Sequence, residues 1–551
     1  MGLKTFNHDD ILVASSLPKK TFRTLSGLSP YAGSWTSKEV AHLLKRTMFG
    51  AAVADINYYK TKTLSQSVDE LVDNSFALTS QPVNDYNDMD YTDPNVSPGQ
   101  TWINAVNLAG GDDSKRVYSF KKWQFGQMIN QGRSVQLKMQ LFWHNHFATH
   151  IGDVFGSKMF YNHHIFFRNN ATGNFKAMAK SITKDCIMLQ YLSGQDNTKY
   201  APNENYGREL QELFCVGKDP GSQYTEDDVK NAARVLTGWK VDYNNNVSYF
   251  LLDDHDIDNK TFSSFYNNTT ITGRNNANAG NTELDDLFTM IFNTSECALF
   301  LCRKLYRWFV YYDIDAATEA NIIQPLAVIL RSNNYEIKPV LKALFKSEHF
   351  FDAVNFGAQI KSPIDFIVGL MREFKVTFPP ASEYVSNYKF WTIIHYFSSI
   401  MNQDYGDPPN VAGWSAYYQA PQFYEAWINA TTYPKRVEFS IGMVDYGIDA
   451  NSTNIKADVI AFAKLTSAPS NPNTLINDSL DILYRINISA TSKTDLKKNT
   501  LLDGQQNDNY WTSAWNSYNA DPANEIKKAV VESRLKNLYR FIVNSPEYQL
   551  A

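Results

Sequence analysis

Cysteine is scarce: the 551 residues hold four, Cys186, Cys215, Cys297 and Cys302, irregularly spaced and with no CxxC pair. That excludes a disulfide framework and a zinc–cysteine site, and the four read as buried thiols. Charge bias is missing too. Fifty-two basic residues against 57 acidic ones leave a net charge of −5, which supplies no field for a phosphate backbone, so no nucleic-acid partner is expected. No run approaches the roughly 18 apolar residues of a membrane-crossing helix, so no transmembrane segment is expected and the chain reads as soluble and globular. Met1 to Pro18 carries Asp9 and Asp10 and lacks the basic start, apolar stretch and small-residue cleavage site of a secretory leader. Taken alone, that predicts a cytoplasmic location. GxGxxG, GxxxxGK[ST], HExxH and GxSxG are also absent, so any catalytic reading rests on looser groupings.

Aromatics are plentiful: 34 Phe, 32 Tyr and 11 Trp. Tyrosine suits half-buried helix faces and recognition surfaces, because its ring is apolar and its tip polar. The dominant hydrophobic period is helical. Thr36-Ser37-Lys38-Glu39 has capping-box spacing before the stripe Val40, Leu43, Leu44, Met48, and Gly50 can end that helix in a left-handed conformation. The same reasoning predicts helices near 64–73, 117–131, 134–148, 175–192, 204–216, 225–236, 283–292, 295–311, 317–332, 337–347, 363–374, 385–401, 456–465, 474–485 and 524–544. Ser362-Pro363-Ile364-Asp365 is a clear start, an N-cap with proline at the first helical position. Only 240–272 changes period, and Val247-Ser248-Tyr249-Phe250 after an Asn-rich turn predicts a β-hairpin. The expected fold is mainly α, a large multi-helix body with a small β-hairpin insertion. Its expected division is an arm at 1–35, a core at 36–440 and a C-terminal helical part at 441–551 packed on that core.

Four groupings carry candidate chemistry. Phe142-Trp143-His144-Asn145-His146 ends an amphipathic helix, where residues two apart are turned by about 200°. His144 and His146 therefore point to opposite faces, whereas His146 and His150 share one if the helix continues. Pro202-Asn203-Glu204-Asn205-Tyr206-Gly207-Arg208-Glu209 places Glu204, Arg208 and Glu212 on one stripe, read either as an exposed ion-pair ladder or as a cleft where Glu204 or Glu209 does acid/base work. Asp254, Asp256 and Asp258 imitate the start of a calcium loop, but Asn259 and Phe265 stand at its glycine and bidentate-glutamate positions, which leaves only a looser cation site. Asp407-Pro408-Pro409-Asn410-Val411-Ala412-Gly413-Trp414 reads as a stiff turn that shapes a pocket or pins a loop. The candidate catalytic residues are thus His144, His146, Glu204, Arg208, Glu209 and His255. The candidate ligands for a divalent cation are His146, His150 and Asp256. Trp143-His144-Asn145-His146 and Asn203-Glu204-Asn205-Tyr206 are expected to pack near one another, since buried polar side chains need partners.

Taken in order, these stretches, with Ala41-His42-Leu43-Leu44-Lys45-Arg46, Leu236-Thr237-Gly238-Trp239, His255-Asp256, Ile360-Lys361-Ser362-Pro363 and Asn544-Ser545-Pro546-Glu547-Tyr548-Gln549, resemble the bacterial domain-of-unknown-function 1800 family. Asp258 departs from the glycine usual there. The resemblance implies no defined activity. It does imply export in many members and neighbourhood with another exported family, hence a periplasmic or envelope-associated location. Together with the aromatic-rich segments it favours an accessory or interaction component of a cell-envelope or protein-secretion assembly, whose partners are other proteins of that complex. The alternative is a hydrolase using a His/Glu cluster, metal-assisted or not.

Overall fold

A computed structural model describes residues 24–108 and 110–551, so residues 1–23 of the expected arm lie outside the described part. Helices fill most of the chain, and the strands form three separate two-stranded antiparallel pairs among the described residues. No helix there is long and apolar enough to cross a membrane. The fold is mainly α with small hairpins.

Local chemistry explains the boundaries. The helix Ser37–Thr47 opens on the expected capping box, the Thr36 N–H donating to Glu39 (2.9 Å), and Gly50 follows at φ +75° against Gly369. Pro363–Glu373 opens where Ser362 Oγ accepts the Asp365 N–H. Gln136–His146 is buried on every side and forms the hub, packed against Ser157–Asn169. Ser157–Asn169 in turn meets Asp113–Ile129, which packs along Tyr384–Ile400. The hairpin Trp239–Asp242 with Val247–Phe250 sits where its period predicts.

Several expectations change, among them the helix expected over 317–332, which contains a π-helical turn at Glu319–Ile323. The helix expected over 175–192 breaks into Phe175–Thr183 and Cys186–Tyr191, because the Asp185 side chain accepts the N–H groups of Ile187 and Met188 and starts a new helix. The one expected over 204–216 is α-helical only over Glu204–Glu209 and continues as a π-helix over Leu210–Cys215. That widening takes Glu212 off the Glu204–Arg208 stripe, and it pairs with Lys218 instead. A further hairpin, Ile448–Ala450 with Thr453–Ile455, escapes a periodicity reading because its strands are three residues long; it turns at Asn451 and Ser452, both at positive φ.

The C-terminal stretch threads back into the body. Lys361 N–H donates to the Gln549 carbonyl and Ala551 N–H to that of Gln359, each at 2.8 Å. Beneath this seam Lys45 and Glu373 form a fully buried pair at 2.6 Å, and Tyr548 donates to Glu373. Burial alone would raise the Glu373 carboxyl, but Lys45 and Lys361 hold it below its ordinary value.

Candidate functional site

The helix Gln136–His146 sends its polar end two ways. His144 Nε2 accepts the Gly406 N–H at 3.1 Å, and its ring lies 4.5 Å from His164 and 5.2 Å from Tyr405. Asn145 Oδ1 accepts the Trp414 N–H at 2.9 Å, and Gly413, at φ +92°, lies so close that a Cβ would stand 2.4 Å from that oxygen. The histidine motif is thus clamped to the loop 404–414. Burial keeps the imidazoles of His144 and His164 well below the usual range, so both are neutral, as an acceptor at His144 Nε2 requires. On the opposite face His146, also neutral through burial, donates to the Phe214 carbonyl at 3.0 Å. The ring of Phe214 lies 6.1 Å from that of Tyr206, so the two motifs expected to pack together meet through Phe214 while Glu204 faces solvent.

The remaining candidates stand in separate networks. Glu204 pairs with Arg208 at 3.2 Å, and Arg208 is held bidentately by Glu226, completing an exposed ladder from the next helix. His255 is buried 3.2 Å from Glu283, which also takes the Lys260 ammonium at 2.7 Å. His144, Glu204 and His255 share no hydrogen bond or ion pair, so the expected His/Glu cluster does not assemble. The metal set is also corrected. The helix ends at His146, which puts half-exposed His150 in the following turn beside Asp153 and Asp407, while Asp256 is spent on Arg234 at 2.7 and 3.1 Å. Asp254 is likewise taken by Lys240. Among the described residues no three His, Cys, Asp or Glu side chains converge to hold a metal ion. Glu209 keeps acid/base character: burial, and then the charge of Glu212, raises its carboxyl, and Oε2 has no hydrogen-bond partner.

Asp407 of the loop 404–414 helps line an open cavity of about 620 Å³. The helix Asp113–Ile129 lends it Asp113, Tyr118 and Lys121, the turn after His150 lends Phe155, and the tip of the first hairpin lends Tyr243 and Asn246. Each wall is pinned. Asp113 accepts the N–H and hydroxyl of Ser157, fixing the start of Ser157–Asn169. Asp407 accepts the Ile151 N–H at 2.9 Å and the ammonium of Lys121, which is also 2.9 Å from Asp404. Burial opposes charge on Lys121, whose side chain is 2 % exposed, yet Asp407 and Asp404 outweigh it and raise its pKa. Burial would raise Asp404 as well, but the hydrogen bond from His395 at 2.8 Å and the charge of Lys121 hold it far below the carboxylate range.

A family model described as a protein of unknown function, DUF1800, matches residues 42–550. The chain belongs to the DUF1800 family. Searches of curated proteins and of solved structures returned no significant match. In this DUF1800 protein the cavity residues Lys121, Tyr118 and Phe155, and the Asp404 and His395 side chains linked to Lys121, escaped motif reading. Lys121 sits in a helix whose stripe is otherwise unremarkable, and the signal for the rest was two carboxylates, Asp404 and Asp407, flanking Gly406 before the paired prolines. Gly406, at φ +94°, leaves room for Lys121; a Cβ there would stand 3.0 Å from its Cε.

Proposed function

We propose that this DUF1800 protein is a binding component of a bacterial envelope or secretion assembly, and that its working face is the cavity above Lys121. One observation carries the reading: three aromatic rings from three separate segments, Tyr118, Phe155 and Tyr243, stand 56, 71 and 43 % exposed around a single recess. Exposed rings grouped around a concave site are features of recognition surfaces. The Lys121 ammonium is locked between two carboxylates, which suits a rigid floor better than proton transfer. The envelope setting is part of the proposal, and the export implied for many members of the family is what supports it.

A second reading, acid/base hydrolysis, draws on Glu209 with its raised pKa beside a π-helix. The test separates them. The tagged protein is expressed in its host, the cells are fractionated, and partners are captured at moderate salt. Envelope components should co-purify with the wild type and with Glu209→Gln, and be lost from Tyr118→Ala/Phe155→Ala. Recovery only as a free cytosolic monomer, with a turnover abolished by Glu209→Gln, overturns the proposal.

A further inference from the structure

We infer that the cavity above Lys121 binds a neutral oligosaccharide, an inference that rests on reading this cavity as the working face. A sugar ring has an apolar face of C–H groups and an equator of hydroxyls. The cavity offers the complement of both. Tyr118, Phe155 and Tyr243 present ring surface, and Leu108, Val117 and Met159 line the recess between them. Asn244 stands exposed on the rim, beside the paired carboxamides of Asn107 and Asn246. A carboxamide carries donors and an acceptor together, which matches a hydroxyl that both gives and takes a hydrogen bond.

Charge narrows the ligand. Asp113 and Asp407 line the cavity, Asp404 shares the Lys121 ammonium with Asp407, Asp153 stands exposed beside the lining His150, and the lysine facing them is fully committed. A phosphate, sulfate or uronate entering here meets carboxylates without a free cation. A cationic ligand fares no better, because the Lys121 ammonium already lies 5.6 Å from the centroid of the Tyr118 ring, the face an organic cation would seek. A neutral, hydroxyl-rich ligand has neither conflict.

The site is also built in advance. Asn107 Nδ2 donates to the Tyr243 carbonyl at 2.8 Å and to Asn246 Oδ1 at 3.2 Å, tying the hairpin tip to the opposite wall. Arg116 donates to the Val106 carbonyl at 2.7 Å, holding the adjoining segment. Fixing the walls before binding lowers the ordering cost of weak, stacking-dominated recognition. The volume lies within the range of about 300–1,000 Å³ usual for small-ligand sites and accommodates a short oligosaccharide.

The experiment is calorimetric titration of the whole protein with four tetrasaccharides: cellotetraose, maltotetraose and tetra-N-acetylchitotetraose as neutral probes, and tetragalacturonate as the acidic one. At least one neutral probe should bind, and tetragalacturonate at least tenfold more weakly. Tyr118→Ala and Phe155→Ala should each weaken that binding about tenfold or more, and Tyr243→Phe should retain it; because these side chains are exposed, the melting temperatures should stay at the wild-type value. No binding by any neutral probe, tighter binding of tetragalacturonate, binding indifferent to ring removal, or a peptide co-purifying in the cavity in place of a glycan overturns the inference. The two proposals fail separately. If the double ring variant loses its envelope partners while no glycan binds, the sugar chemistry falls and the binding-component reading stands. If glycan binding needs the rings but envelope capture does not, the reverse holds.

Discussion

Gly413→Ala tests whether the histidine motif is clamped to the loop 404–414. The backbone at Gly413 has φ +92°, and an added Cβ would stand 2.4 Å from Asn145 Oδ1 and 2.6 Å from the Asn145 carbonyl oxygen. Neither atom can retreat freely, since Oδ1 is bonded to the Trp414 N–H and the carbonyl belongs to the hub helix. Holding an L-residue in such a conformation costs about 1–3 kcal/mol. Breaking the buried Asn145–Trp414 bond adds about 1–3 kcal/mol. The expected loss is therefore roughly 2–6 kcal/mol, enough to lower the urea midpoint clearly. Gly442→Ala is the control: its φ is −51° and nothing lies within 4 Å of an added Cβ, so the midpoint should hold or rise, by about 0.4–1 kcal/mol in stability. Equal midpoints for the two variants would refute the clamp. A wild-type midpoint for Gly413→Ala would do so more directly.

Other expectations follow from the buried charges. Asp93→Asn strands Arg116, whose side chain is fully buried with it at 2.9 Å, and should cost about 3–5 kcal/mol by urea unfolding. Lys304, half-buried against Phe300 and bonded to the Leu213 carbonyl, has its pKa lowered to about 7 by desolvation and the nearby Arg307. The unfolded chain then binds more protons than the folded one between pH 7 and about 10.4, so stability should rise with pH across that window. Lys304→Met should flatten this rise and raise the midpoint most at pH 6; an unchanged slope would refute the burial argument. Asp404 and Asp93 are depressed, so their contribution is present above about pH 4 and is lost as pH falls through their lower folded values. Acid titration followed by near-ultraviolet circular dichroism should show tertiary structure failing there, and later in Asp404→Asn than in wild type if the argument is wrong.

Much of the fold was legible because period and caps act locally. Thr36 with Glu39, Ser362 before Pro363, and the turn after Asp242 needed no distant partner to be recognised. The break at Asp185 and the π-helix after Glu209 depended on single hydrogen bonds that a hydrophobic stripe does not encode. The site was less legible for the same reason. Opposite faces for His144 and His146 follow from helix geometry, and the structure shows them. What each face meets, Gly406 in one case and the Phe214 carbonyl in the other, is set by segments 68 to 262 residues away. Lys121 carries no motif at all, and only the approach of Asp404 and Asp407 gives it a role.

The seam between 359–361 and 549–551 has a bearing on how the protein is made. Its two edges are separated by almost two hundred residues of chain, so the backbone groups of Gln359 and Lys361 have no partner until residues 549–551 have left the ribosome. Until then the Lys45–Glu373 pair lacks its Tyr548 donor, and the helices around it remain open. Synthesis at about 5–20 residues per second makes that interval on the order of ten seconds or more. During it the nascent chain presents an unpaired edge beside apolar helices, the kind of surface that chaperones shield, so its yield should depend on holding factors far more than its final stability suggests.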